Sequence, residues 1–509
     1  MKTSQFQKTT KKLLPYTFLF GLLLLFTYGI PLTGNDLVYA SASGLAPRLE
    51  NSGGNFLSAL LSSFLIDFPV LRHVLIAVAI GGSVVTLISF SGIERPYMYY
   101  LVLFLSLCAP VAIFTYCFGA TLDAGSVLVP GFLVTMYIFT VSDLFVYKGQ
   151  KKGWKIPLLF LNGFASQLFS EGIAIGILLI SFLFMMIISC KYKFSWHLVS
   201  HLFGCVLGFT LSLLISGSTD SFSSSFYVMV DHLSGGLNQL FIHNLPLMIL
   251  TTLACLLLIQ PIRSERSKNC NITLYLLLIP MGFFVVFNVI DTVLYPFAVV
   301  NRFLAVGKLL IALLYTLGIL RTLQHYVSKN KVSVRIKVSI ATAWIFLLVY
   351  GGVGNATPAF LYIPYLLLVG SAMTLVVYAL SRYSRFEKVI RKPLMIACIL
   401  GVIALSFVTK CNNYYCKVVD THINESLSQG TTEIELPRSP FENRLGQTNY
   451  SQLSDYYHFP SYGTVEISYV SYDQWDWTTY FEVHSAPKVE EEYEDEIDFH
   501  EWDDKFEED

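Results

Sequence analysis

Charge is what this 509-residue chain has little of: Asp, Glu, Lys and Arg make up 14 % of it, where soluble domains carry about 25 %. Hydrophobic residues make up 54 %, and the mean hydropathy is +0.58. An ordinary soluble globular domain is excluded. The chain also lacks a GxxxxGK[ST] phosphate loop, a dinucleotide-binding glycine set and a zinc-finger cysteine pattern. That argues against a nucleotide-driven pump. There is no heptad, short-period repeat or inverted repeat. The nine cysteines are scattered. Cys108, Cys117, Cys190, Cys205, Cys255 and Cys398 fall in or beside apolar runs and read as small buried hydrophobes. Cys270 lies in a short polar loop. Cys411 and Cys416 follow the last apolar run and could close a small disulfide if that region is extracellular.

What is present is a succession of apolar runs of about 18–22 residues, the length that a hydrocarbon core of about 30 Å demands of a helix. In lipid every backbone N–H and C=O must be paired within the protein, so such runs mean helices. The first is Leu13–Ile30. Ala40-Ser41-Ala42 offers a signal-peptidase pattern, but it lies far from the apolar run, and an uncleaved first helix is expected. The others are Val70–Phe90, Pro96–Cys117, Val127–Tyr147, Ile156–Phe169, Gly172–Ile188, Trp196–Ile215, Gln239–Gln260, Ile272–Ile290, Phe303–Leu320, Val338–Pro358, Leu361–Leu380 and Pro393–Val408. The expectation is an all-α membrane domain of about 13 transmembrane helices over residues 1–409.

Loop charge tests that reading. With the N-terminus inside, the inside segments hold 24 Lys and Arg, among them Lys148, Lys151, Lys152 and Lys155 and the clusters Arg321–Lys337 and Arg382–Lys392. The outside loops before the C-terminal region hold only Arg48 and Arg302, with Arg72 near a span start. This obeys the positive-inside rule. It predicts a multi-pass plasma-membrane protein with a cytoplasmic N-terminus and an extracytoplasmic C-terminus. Within the long outer loop 31–69, Asn55–Phe68 is too short to span and suits a helix lying at the interface. From Lys410 the chain turns polar. Thr431–Leu436 and Thr464–Val483 alternate like strands, so residues 410–488 are expected to form a small mixed α/β cap. Residues 489–509 read as an acidic, disordered tail. From Glu490 to Asp509 the net charge is −12, against −1 for the whole chain, so the remainder carries +11. Such a tail argues against nucleic-acid partners.

The few charged residues near the spans are the candidates for chemistry, because burying them in lipid is costly. Asp36, just past the first helix, can take a proton from an acceptor hydroxyl; capping the turn at Gly34-Asn35 is the plain alternative. Glu171 can orient a sugar or serve as a second acid or base; favouring the start of the next helix is its alternative. Arg302 and Lys308 descend into the outer leaflet and suit a lipid phosphate or pyrophosphate, with snorkelling as the alternative. Arg48 and Arg72 are weaker candidates of the same kind. Asp123 opens Asp123–Pro130, where Gly125 and Pro130 suggest a bend close to a ligand. His197 and His201 have metal-ligand spacing but no third ligand, and read as structural.

The arrangement resembles the multi-pass GT-C type of bacterial glycosyltransferase, and a group of cell-surface polysaccharide proteins of similar length. The matching segments are Gly34-Asn35-Asp36, Pro47-Arg48-Leu49, Gly125 to Pro130, Ser170-Glu171, Tyr295-Pro296 with Arg302, and Glu435-Leu436-Pro437. The resemblance implies transfer of a sugar from a polyprenyl-phosphate donor to a glycan or lipid-linked acceptor among membrane lipids on the outer face. It puts the catalytic base on Asp36 and calls for no organic cofactor; no metal site is indicated. The pattern departs from the group in the single acid at Asn35-Asp36. It departs again in the loop from Ser216 through Asp220, which has no Lys or Arg. Donor-phosphate binding is therefore expected at Arg302 and Lys308. A transporter or flippase of a lipid-linked or anionic substrate, a glycan polymerase or ligase, and a non-catalytic membrane partner are the competing readings.

Overall fold

A computed structural model describes the chain except residues 1, 34, 42–55, 93–94, 148–154, 193, 217–225, 261–267, 295–297, 328–330, 354–356, 440, 442–443, 446–449, 458, 460–464, 472–473, 476 and 478–509. Its helices run α1 (Lys2–Tyr28), α2 (Asn35–Ser41), α3 (Phe56–Asp67), α4 (Pro69–Ser91), α5 (Pro96–Leu107), α6 (Val111–Phe118), α7 (Thr121–Val146), α8 (Lys155–Ser166) and α9 (Glu171–Lys191). They continue with α10 (Trp196–Ser216), α11 (Phe226–Leu237), α12 (Leu245–Ile259), α13 (Lys268–Leu294), α14 (Ala298–Tyr326), α15 (Lys331–Gly352), α16 (Tyr362–Arg382) and α17 (Ser384–Ser428). Strand β1 (Glu433–Pro437), helix α18 (Tyr450–Tyr457) and strand β2 (Glu466–Val470) complete the described chain. Among the described residues, nine helices are long and apolar enough to cross a membrane, and up to eleven if each of two bent pairs counts as one span. The protein is thus an all-α membrane protein, and each expected apolar run overlaps a helix or a bent helix pair.

Two of the expected spans, Pro96–Cys117 and Gln239–Gln260, fall on these bent pairs, and both bends come from proline. Between α5 and α6 the axis turns by 92°. Pro110 has no N–H to give the Ser106 carbonyl four residues back. The hydroxyl of Tyr362 on α16 donates to that oxygen instead (3.3 Å), and Tyr365 donates to Leu105 O. Between α11 and α12 the axis turns by 57°, through a π-turn at Asn238–Ile242. Here Pro246 leaves Ile242 O without its helical donor, and Asn288 Nδ2 on α13 supplies one at 3.1 Å. Each break leaves no orphaned carbonyl at these points, as an apolar surround requires.

Helix contacts inside the bundle are made by small residues and buried polar ones. Gly204 and Gly208 on α10 face Gly163 on α8 so closely that an added Cβ would stand 2.3 Å from Phe160 O, 2.5 Å from Phe164 O and 2.3 Å from His201 O, respectively. This is the small-xxx-small mode of membrane helix packing. Beside it, His201 is buried, stacked on Tyr137 (3.6 Å, 12°) and hydrogen-bonded at both ring nitrogens, to Ser181 Oγ (2.9 Å) and Asn162 Oδ1 (3.1 Å). The structural reading of His201 is the one seen. Among the described residues no group of three metal-ligating side chains forms.

At the basic end of the bundle, Arg335 on α15 ties three helices together. It pairs with Asp143 on α7 at 2.8 Å and donates to Ser89 O (2.9 Å) and Phe90 O (3.0 Å), the last carbonyls of α4. A guanidinium at a helix C-terminus answers both the dipole and the unpaired carbonyls.

Four further expectations change. The boundary at 409/410 falls inside α17, which runs unbroken for 45 residues, about 67 Å. Nothing after Pro393 ends it until Gly430, whose φ of 74° suits glycine alone. The stripe Val419, Ile423, Leu427, spaced four apart, gives its far end an apolar face. Cys411 and Cys416 therefore lie five apart on one helix, about 140° around it, and both are free thiols. Asp123, Gly125 and Pro130 sit within α7, so the expected bend there is helix. Cys270 likewise is helical and buried, in α13. Strands β1 and β2 pair in parallel from Glu433↔Glu466 to Pro437↔Val470. Ile434 and Leu436 turn inward, and Glu433 and Glu435 outward.

Gly204→Ala should lower the thermal unfolding midpoint of the purified protein, because it forces α8 and α10 apart at a cost of about 1–3 kcal/mol. Gly282→Ala and Gly307→Ala, where an added Cβ meets nothing within 4 Å, should be neutral or raise it. The reverse order would show that α8 and α10 do not pack this way.

Candidate functional site

Asp36 lies in the first turn of α2, and its side chain is wholly buried (0 % exposed). The short strap that precedes it makes this placement. Thr33 N–H donates to Asp36 Oδ2 (3.2 Å), and Asp36 N–H returns to Thr33 O (3.1 Å). The Asp36 carboxylate thus caps the turn through the Thr33 N–H, a local side-chain-to-backbone bond. Thr33 Oγ1 donates to Gly119 O (2.9 Å), pinning the strap to the junction of α6 and α7. The capping role expected as the alternative is therefore real. It leaves open a second role, because Asp36 also interacts electrostatically with Arg72 on α4 and Cys416 on α17.

Arg72 is 8 % exposed. Its Nη2 lies 3.4 Å from His73 Nε2, while its Nε and His73 Nδ1 are covered and have no hydrogen-bond partner. His73 packs on Tyr28 at 5.3 Å, and its carbonyl accepts from Thr27 Oγ1 (3.2 Å). The exit of α1 and the start of α4 thus meet at His73, and the Asp36 carboxylate of α2 acts electrostatically on the neighbouring Arg72 guanidinium. A roof covers them. Leu37 of α2 packs into a small apolar cluster of Ile423, Ile434, Leu436, Leu453, Phe459 and Val465. Tyr457 of α18 donates to Asp420 Oδ1 (2.9 Å); burial first, then the Asp420 carboxylate, raise its phenol well above the usual range.

A second cation, which the sequence reading passed over, comes from the roof. The Arg444 guanidinium sits 4.8 Å over the Phe114 ring, beside the α5–α6 break, with a covered Nη1 that has no partner. Asn412 holds its backbone, donating to Arg444 O at 3.3 Å, and Ser439 Oγ donates to Asn412 Oδ1 at 2.9 Å.

The other sequence candidates divide. Glu171 opens α9 after Ser170, and Asp123 lies in the first turn of α7; neither side chain is among those described. Arg48 falls outside the described residues, and so does the acidic tail. Lys308 is 1 % exposed, deep in α14. The backbone of Arg302 is in α14, six residues earlier, which sets the two about 120° apart around the helix. Helix α14 packs on α11, α12, α13 and α15, whereas α2 packs on α3, α7 and α18. Arg302 and Lys308, the residues expected at the donor phosphate, therefore sit on a helix with different neighbours from those of Asp36.

The fold and its polar residues define a polytopic helical membrane protein with a buried acid–cation site at the end opposite its Lys- and Arg-rich connections. No protein family, curated protein or solved structure matches the chain.

Asp36→Ala removes the acceptor for Thr33 N–H and a charge facing Arg72, and should cost about 1–3 kcal/mol of stability. Asp36→Asn keeps an acceptor of the same shape and should cost less. Unfolding midpoints at a fixed scan rate in detergent measure both; an equal loss would show that the charge alone holds α2 in place.

Proposed function

We propose that this is a GT-C-like glycosyltransferase of the plasma membrane, with about thirteen spans, a cytoplasmic N-terminus and residues 410–488 forming an extracytoplasmic cap. It transfers a sugar from a polyprenyl-phosphate donor to a cell-envelope glycan or lipid-linked acceptor. The observation that carries this reading is the juxtaposition of Asp36 and Arg72 at one end of the bundle, among helix ends rather than at mid-span. Asp36 takes the proton of the acceptor hydroxyl, whose oxygen attacks the anomeric carbon. The bond from that carbon to the phosphate oxygen breaks, and the leaving phosphate takes the electron pair. A cation fixed beside it offsets the growing charge. Arg72, which stands by Asp36, takes that role in place of Arg302 and Lys308. Asp36 is covered in this conformation, so the cap moves off α2 to admit the acceptor.

A transporter of a lipid-linked or anionic substrate is the second reading. Lys308 buried in a span and two helix pairs broken at proline favour it, since transporters gather charge and unwound backbone within the membrane. Substrate-dependent flux in proteoliposomes without product formation would select it.

Asp36→Asn should abolish sugar addition while leaving membrane expression intact, read as the mass of the surface glycan in cells carrying the variant. Retained transfer by a well-expressed variant would sink the assignment.

A further inference from the structure

We propose that residues 410–477 carry a glycan-binding platform, formed by His422 at the far end of α17 and by Trp475 and Trp477. The proposal rests on the transferase reading and deepens it: the platform holds a pyranose chain, the acceptor class, above the covered Asp36 site. The two indoles are fixed to each other by a tight backbone turn, with Trp477 N–H donating to Trp475 O at 2.9 Å. Their rings lie 6.4 Å apart at 63°. The His422 ring stands against Trp475 at 5.1 Å and 89°. All three side chains are half-buried, so rigid aromatic surface remains open at low conformational cost. Trp475 Nε1 is covered and has no acceptor, although an indole N–H under cover ordinarily finds one. The exposed Gln474 amide lies beside it, its Oε1 accepting from Ser471 Oγ at 2.8 Å. A pyranose matches this set. Its C–H face stacks on an indole, and its hydroxyls serve the indole N–H and the amide.

A lipid surface fits less well. The apolar part of α17 begins at Pro393, and about 20 residues cross the hydrocarbon. His422 then lies about 14 Å beyond that edge, past the layer where interfacial tryptophans anchor. Over residues 410–477 nine acids stand against four Lys and Arg, a balance that repels an anionic leaflet.

The full chain in phosphatidylcholine nanodiscs is titrated with maltotetraose, cellotetraose and chitotetraose, reading tryptophan fluorescence. At least one sugar should give a saturable change. Its Kd should rise about tenfold in Trp475→Ala and Trp477→Ala, and about threefold in Trp475→Phe, which keeps a ring and deletes the N–H. The Phe variant carries the test if the Ala variants do not fold. Binding is read without any sugar transfer, so a failed transferase assignment and a failed platform are distinguished. No binding by any of the three sugars, or unchanged binding in the tryptophan variants, would overturn the platform. A fluorescence change produced by phosphatidylglycerol vesicles and lost in those variants would assign the rings to a lipid surface and overturn it equally.

Discussion

A backbone carbonyl in hydrocarbon has no water to turn to, and the architecture follows from that single constraint. Straight helices meet it alone. The chain nevertheless breaks two of its helices at proline, and each time a neighbouring helix repairs the loss. Tyr362 serves Ser106, and Asn288 serves Ile242. The repairs fix more than chemistry. They tie α16 to the α5–α6 corner and α13 to the π-turn, so the bends become specified positions. Arg335 does the same at the basic end, closing the last carbonyls of α4 while its charge is met by Asp143.

Charge is divided between the two ends according to task. At the basic end, the Arg335 guanidinium pairs with Asp143 and donates to two backbone carbonyls, with the Phe139 ring 5.3 Å from it, while its Nε is covered without a partner. At the opposite end, the guanidinium groups of Arg72 and Arg444 each keep a covered N–H with no partner. A buried donor left in that state raises the free energy of the folded protein. Between the ends, the interior is held by glycine contacts and by the His201 cluster, which has no charge to offset.

The spans were legible because hydrocarbon thickness sets a length, and the chain repeats it. The breaks were also written in Pro110 and Pro246, but hydropathy runs straight through both and hides them. Asp36 and Arg72 each stood out as charges near a span. Their meeting did not, because 36 residues separate them and only the fold of α2 under the roof brings them together. Asp143 and Arg335 were masked by the positive-inside pattern, in which a cation at the basic end needs no further reason. An acid inside an apolar run was the available signal. The helical stretch after Lys410 was lost because its polar residues outweigh the sparse stripe Val419, Ile423, Leu427. Lys308 was recognised as unusual, yet position in sequence gave no hint that it belongs to other helices than Asp36.

Helix α17 enters at the basic end and carries the roof at the other, in one piece. No proline interrupts it after Pro393, so there is no joint to absorb motion between the membrane and the roof. It is a lever. A tilt of about 5° in the membrane would swing a tip about 30 Å away through roughly 3 Å, enough to separate the roof from α2. Access to a covered carboxylate would then be set by the lean of a single rod, and bilayer thickness, which governs helix tilt, would become one of its controls.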